Sequence, residues 1–66
     1  MRIQVNGEFR DVTERLSLEE LIAHLKLAGE RLAIELNHSV VRRGEWPART
    51  LQEGDRIEIV HFVGGG

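Results

Sequence analysis

The chain has 66 residues, with 9 Lys and Arg against 11 Asp and Glu for a formal net charge of -2, seven glycines and no cysteine. A single domain of this size buries only about 60% of its unfolded surface, too little for a deep substrate cavity with supporting shells. The absence of cysteine excludes disulfides, thiolate metal sites and a cysteine nucleophile.

The acidic balance argues against a nucleic-acid binder, which would show a basic patch or stripe. No apolar run approaches the roughly 20 residues of a membrane-spanning helix. Met1-Arg2 leads straight into alternating residues with no apolar leader, so the expected location is the cytoplasm.

The first element alternates, with Met1, Ile3 and Val5 on one face and Arg2, Gln4 and Asn6 on the other. That is the period of a strand with one buried side. Asn6-Gly7 is the pair favoured in a type I′ hairpin turn, and residues 8–12 return as a second strand.

Ser17-Leu18-Glu19-Glu20 fits a capping box, and Leu18, Leu21, Ile22 and Leu25 follow at helical spacing. Leu16 precedes the cap as a hydrophobic staple. With Gly29 as the stop signal, the helix is predicted over residues 17–27.

Residues 32–36 read as a third strand, closed by a turn at Asn37-His38, and residues 39–41 as a short fourth strand at an edge. Glu45-Trp46-Pro47-Ala48 suits an irregular turn or a 3₁₀ piece, since Pro47 cannot donate to a ladder. Trp46 is expected to pack at the sheet edge. Gly54-Asp55 turns the chain into the last strand, residues 56–60, with Ile57 and Ile59 facing the core and Glu58 and Val60 facing out.

Five strands and one helix with a single apolar stripe make a two-layer α+β domain. Right-handed crossover rules place the first and last strands side by side. The predicted fold is a β-grasp (ubiquitin-like) domain over residues 1–63, a mixed sheet of four to five strands with one main helix on one face. Residues 64–66 form a flexible glycine tail. The second face of the sheet has no covering element and is the natural docking surface.

Little in the chain suggests internal catalysis. His24, His38 and His61 match no metal-ligand spacing and read as independent surface residues. Ser17 is better used as a cap than in a hydrolase triad, and Glu19-Glu20 suit a helix N-terminus. Arg42-Arg43 in an acidic chain reads as a solvated edge. No enzyme activity, bound cofactor or metal site is expected.

Gly64, Gly65 and Gly66 carry more information. Alone, they fit a frayed terminus or an expression remnant. A phosphate-cradling loop would need a helix after it. Combined with the apolar Val60-His61-Phe62-Val63, they suggest a main chain that enters a narrow channel without Cβ obstruction.

Residues 63–66, fully extended, reach roughly 13–14 Å at about 3.3–3.6 Å per residue, enough to carry one group into a partner's active site. That group is the Gly66 α-carboxylate. A carboxylate is a poor acyl donor to nucleophiles, but its attack on the α-phosphate of ATP would make an acyl-adenylate with a good leaving group. Sulfur or an amine could then take the acyl carbon.

The segment Glu58-Ile59-Val60-His61-Phe62-Val63-Gly64-Gly65-Gly66 resembles the ThiS family of thiamine-biosynthesis sulfur carriers. Leu36-Asn37, Val40-Val41-Arg42, Trp46 and Gly54-Asp55 stand in matching order, so the resemblance covers essentially the whole chain. It implies adenylation of Gly66 by an E1-like, ThiF-type adenylyltransferase that uses ATP. Conversion to a C-terminal thiocarboxylate with sulfur from a donating enzyme would follow, then transfer to a ThiG-type thiazole synthase.

Gly64 and Gly65 would thread the partners' channels, and Val60, Phe62 and Val63 would form the docking surface. Phe62 also admits packing at the edge of the core. Two further readings stand beside this one. The first is a sulfur carrier for molybdopterin, cysteine or tRNA thiolation; the second is a ubiquitin-like conjugation or interaction module.

Overall fold

A computed structural model describes residues 1–62. In chain order the elements are β1 (Arg2–Val5), β2 (Glu8–Asp11), α1 (Leu18–His24), β3 (Leu32–Leu36), β4 (Ser39–Val40), a 3₁₀ helix (Arg43–Ala48) and β5 (Arg56–His61). They form a mixed five-stranded sheet in the order β2-β1-β5-β3-β4. The first and last strands lie side by side and parallel, through Gln4↔Arg56 and Val5↔Ile57, while the remaining pairs are antiparallel. This is the β-grasp arrangement, with β5 in the middle of the sheet.

Two hairpins frame β5, and both turns need positive φ. Asn6 and Gly7 (φ 50 and 85) make the first, and Asn37 and His38 (φ 52 and 72) make the second without a glycine. Asparagine tolerates the left-handed region because its short side chain bonds locally or to a neighbour. The first hairpin is closed at its base by the Met1 amino group on the Val12 carbonyl and the Val12 N–H on the Met1 carbonyl.

Alternation sends Ile3 and Val5 of β1, Leu32, Ile34 and Leu36 of β3, and Ile57 and Ile59 of β5 to one face of the sheet. There they meet Leu18, Leu21 and Ile22 of α1, together with Leu16, Val41, Trp46 and Leu51, in one core. Each large aliphatic side chain buried in this way contributes about 1.5–3 kcal/mol.

The helix starts where the sequence places it. Ser17 Oγ accepts the Glu20 N–H at 3.0 Å, and Glu20 Oε1 accepts the Ser17 N–H at 2.9 Å. It stops earlier than residue 27. Lys26 sits at φ 60, its N–H donates to the Ala23 carbonyl, and the Leu27 N–H reaches back to the Ile22 carbonyl, both at 3.0 Å. These bonds are a Schellman stop, built on a lysine where a glycine is usual. Gly29, at φ 88, serves the turn that follows.

Other boundaries move by one residue. β5 runs to His61, while β2 and β4 end at Asp11 and Val40. Trp46 is placed deeper than the sheet-edge position expected for it. It lies in the core, its indole N–H donates to the Val41 carbonyl at 2.9 Å, and the Arg43 guanidinium lies 4.4 Å above its ring. No described helix is long and apolar enough to cross a membrane.

Candidate functional site: the open sheet face and the base of the tail

The residues that alternate away from the core define the second face. Across the strands, Gln4 faces Arg56 and Phe9, Glu35 faces Glu58 and Val40, and Ala33 faces Val60. No described helix covers these positions. Four large apolar side chains are therefore left in solvent: Phe9 at 67%, Val40 at 71%, Val60 at 58% and Phe62 at 49% exposure. Their gathering on one face of the sheet, rather than their number, marks an interaction face.

Polar groups divide the face into zones. Arg2 lies 5.6 Å from the Phe9 ring centre and 3.4 Å from the Asp11 carboxylate, and the Arg56 Nε donates to Gln4 Oε1 at 3.1 Å. Glu35 and Glu58 pair across β3 and β5 and present two carboxylates to solvent.

Beyond this acidic pair, Ala33, Val60 and Phe62 lead to the end of β5. The Phe62 N–H donates to the Arg31 carbonyl at 3.1 Å, which carries the ladder one residue past the strand. His61 Nε2 lies 3.8 Å from Glu30 Oε1 beside it. The base of the tail is thus fixed to β3 at the apolar end of the open face.

Of the residues singled out in the sequence, Val60 and Phe62 are brought together on this face, and the half-exposed Phe62 belongs to it more than to the core edge. Val63, Gly64, Gly65 and Gly66 lie outside the described residues. His24 lies in α1, His38 in the turn between β3 and β4 and His61 in β5, and no group of three or more His, Cys, Asp or Glu among the described residues could hold a metal ion. Phe9 and Val40 are outward residues of neighbouring strands that widen the face. Their alternation with Arg10 and Val41 was the available signal.

Residues 3–66 match the profile of the ThiS family. This chain belongs to the ThiS family. A solved ThiS structure, the thiamine biosynthesis protein from Geobacter metallireducens, superposes with a TM-score of 0.87 at 39% identity, over 100% of both chains. The protein named sulfur carrier protein ThiS in Bacillus subtilis is 33% identical, over 97% of this chain and 98% of its own length. A protein of Magnetococcus marinus named thiazole synthase is 47% identical over all of this chain, which spans only 20% of that relative. As a ThiS-family chain it shares the ubiquitin-like β-grasp fold described above.

Proposed function

We propose that this chain is a sulfur carrier of thiamine biosynthesis whose carrying group is the α-carboxylate of Gly66. The observation that supports this most strongly is the full-length likeness to ThiS proteins, joined to an open apolar face that runs into the base of the glycine tail. A carrier needs those two parts and no catalytic site of its own.

The chemistry follows from the carboxylate. Its oxygen attacks the α-phosphorus of ATP on an E1-like partner, forming the glycyl adenylate and releasing pyrophosphate. A sulfide-equivalent nucleophile, supplied by a sulfur-donating enzyme, adds to the acyl carbon and expels AMP, leaving the thiocarboxylate. The thiocarboxylate carbon–sulfur bond then breaks as the sulfur passes to the substrate of thiazole synthase for the thiazole ring, and an oxygen from that substrate or from water takes its place on the acyl carbon, so the carboxylate returns. ATP is bound by the partner, and the carrier itself holds no cofactor.

In this reading Gly64 and Gly65 thread the partners' channels, where a Cβ would obstruct passage. Val60, Phe62 and Val63 dock on the partners' outer surfaces. The thiazole synthase of Magnetococcus marinus contains a segment 47% identical to this chain, which supports thiazole synthase as the acceptor. The reactions are those of the cytoplasm.

Incubation with a ThiF-type adenylating enzyme, ATP and a sulfur donor, followed by intact-mass analysis, tests the reading. Replacement of one oxygen by sulfur at Gly66 is the expected result. An unchanged mass overturns the reading, and Gly66 recovered on a lysine assigns the chain to conjugation instead. A thiamine-requiring strain rescued by the chain but not by one lacking Gly66 identifies the pathway.

A further inference from the structure

The side chain of Asn6 makes the hydrogen bonds of a residue that β1 does not have. β1 and β5 pair in parallel up to Val5↔Ile57, and the Asn6 N–H then donates to the Ile57 carbonyl at 2.9 Å. A strand that continued would next bond Ile59 through its main chain. Here the chain leaves β5, because Asn6 takes φ 50 and enters the hairpin turn.

The Asn6 carboxamide fills the gap. Its Oδ1 accepts the Ile59 N–H at 2.7 Å, and its Nδ2 donates to the Ile59 carbonyl at 3.2 Å, both partly buried. A primary amide offers the same acceptor and donor as a peptide group. The sheet thereby gains one rung without another residue of strand.

This rung is the last described one on the β1 side of β5. Toward the tail β5 is described as held from the β3 side alone, through Ala33↔Val60, Leu32↔His61 and the Phe62 N–H on the Arg31 carbonyl. Ile59 is therefore where two-sided support of β5 ends. The eight residues from Ile59 to Gly66 could span roughly 26–29 Å at full extension. A change in the heading of β5 at Ile59 would displace Phe62, the last described residue before the tail, and a displacement of about 1 Å can cost 10²-fold in rate.

We propose that Asn6 is a positioning residue for the carrier reaction: its carboxamide fixes the heading of β5 at Ile59 and so aims the Gly66 carboxylate. The proposal rests on the sulfur-carrier reading above.

Asn37 supplies the control. It holds the equivalent position in the other hairpin, and its side chain also bonds β5, but at the opposite end. Its Oδ1 accepts the Arg56 N–H at 2.9 Å, and its Nδ2 donates to Asp55 Oδ1 at 3.0 Å. Asn6→Gly and Asn37→Gly both keep the positive φ and remove one carboxamide each. A merely structural role predicts that the two behave alike.

The test compares both variants with the parent chain by amide hydrogen exchange and by pyrophosphate release with the ThiF-type enzyme, at a temperature where all are folded. Asn6→Gly is expected to accelerate exchange at Ile59 at least tenfold, and to lower kcat about tenfold with KM within twofold. Asn37→Gly is expected to leave both readouts unchanged.

Asn6→Asp, which keeps the shape but turns an oxygen toward the Ile59 carbonyl, is expected to follow Asn6→Gly and serves if that variant does not fold. Unaccelerated Ile59 exchange overturns the clamp whatever the enzymology shows. Accelerated exchange with unaltered kinetics, or equal kinetic losses in both asparagine variants, overturns its positioning role. A parent chain that is not adenylated overturns the carrier reading, and this proposal with it; the parent-chain measurement separates that case from the others.

Discussion

Glu35 of β3 and Glu58 of β5 stand directly opposite each other on the open face, both exposed. Like charges in facing positions destabilise a sheet by a few tenths of a kcal/mol to about 1 kcal/mol. Glu58→Thr is therefore expected to stabilise the free chain by about 0.5 kcal/mol, raising Tm by roughly 2–4 °C. The same change is expected to slow association with a partner whose docking face is basic. Thermal melts and stopped-flow association check the two effects, and a lower Tm would remove repulsion as the reason.

Lys26→Gly is expected to stabilise the chain by about 1 kcal/mol, because lysine bears the left-handed conformation of the helix stop at a cost that glycine avoids. A denaturant titration should show a higher midpoint with an unchanged m-value.

Trp46→Phe is expected to destabilise by about 1–3 kcal/mol. The phenyl ring fills most of the site but leaves the buried Val41 carbonyl without its donor. For a domain of this size the Tm should fall by roughly 4–8 °C per kcal/mol, read by calorimetry.

Glu20 is held below its ordinary carboxyl range, first by its hydrogen bond with the Ser17 main chain, then by the Ser17 hydroxyl and, to a smaller extent, by His24. A carboxyl lowered in the folded state contributes stability above its unfolded pKa and loses it as pH falls through the lowered value. The capping box is therefore expected to hold at neutral pH and weaken below about pH 4.5. Ser17→Ala should move the Glu20 carboxyl back up toward its ordinary range in an NMR titration.

Features set by neighbouring residues were legible in the sequence. The first hairpin followed from Asn6-Gly7, the helix start from Ser17 and Glu20, and the face of each strand from alternation. The adjacency of the first and last strands followed from the handedness of the helical crossover. Features that depend on distant partners were not legible. Nothing local marks Lys26 as the helix stop, which is fixed by Leu27 returning to Ile22 and packing against the core. Nothing near Asn6 announces a bond to a residue 53 positions away. At the candidate site, alternation exposed Val60 correctly, but the breadth of the face, from Phe9 to Val40, needed the register of all five strands.

The central place of β5 has a consequence for synthesis. Its residues leave the ribosome after every other element, yet they join the two hairpins into one sheet. A chain interrupted before Arg56 would hold two separate two-stranded hairpins, each marginal on its own in water. Translation must therefore pass β5 before the docking face can exist. A chain lacking that strand lacks Val60 and Phe62 and the continuous sheet that carries the face.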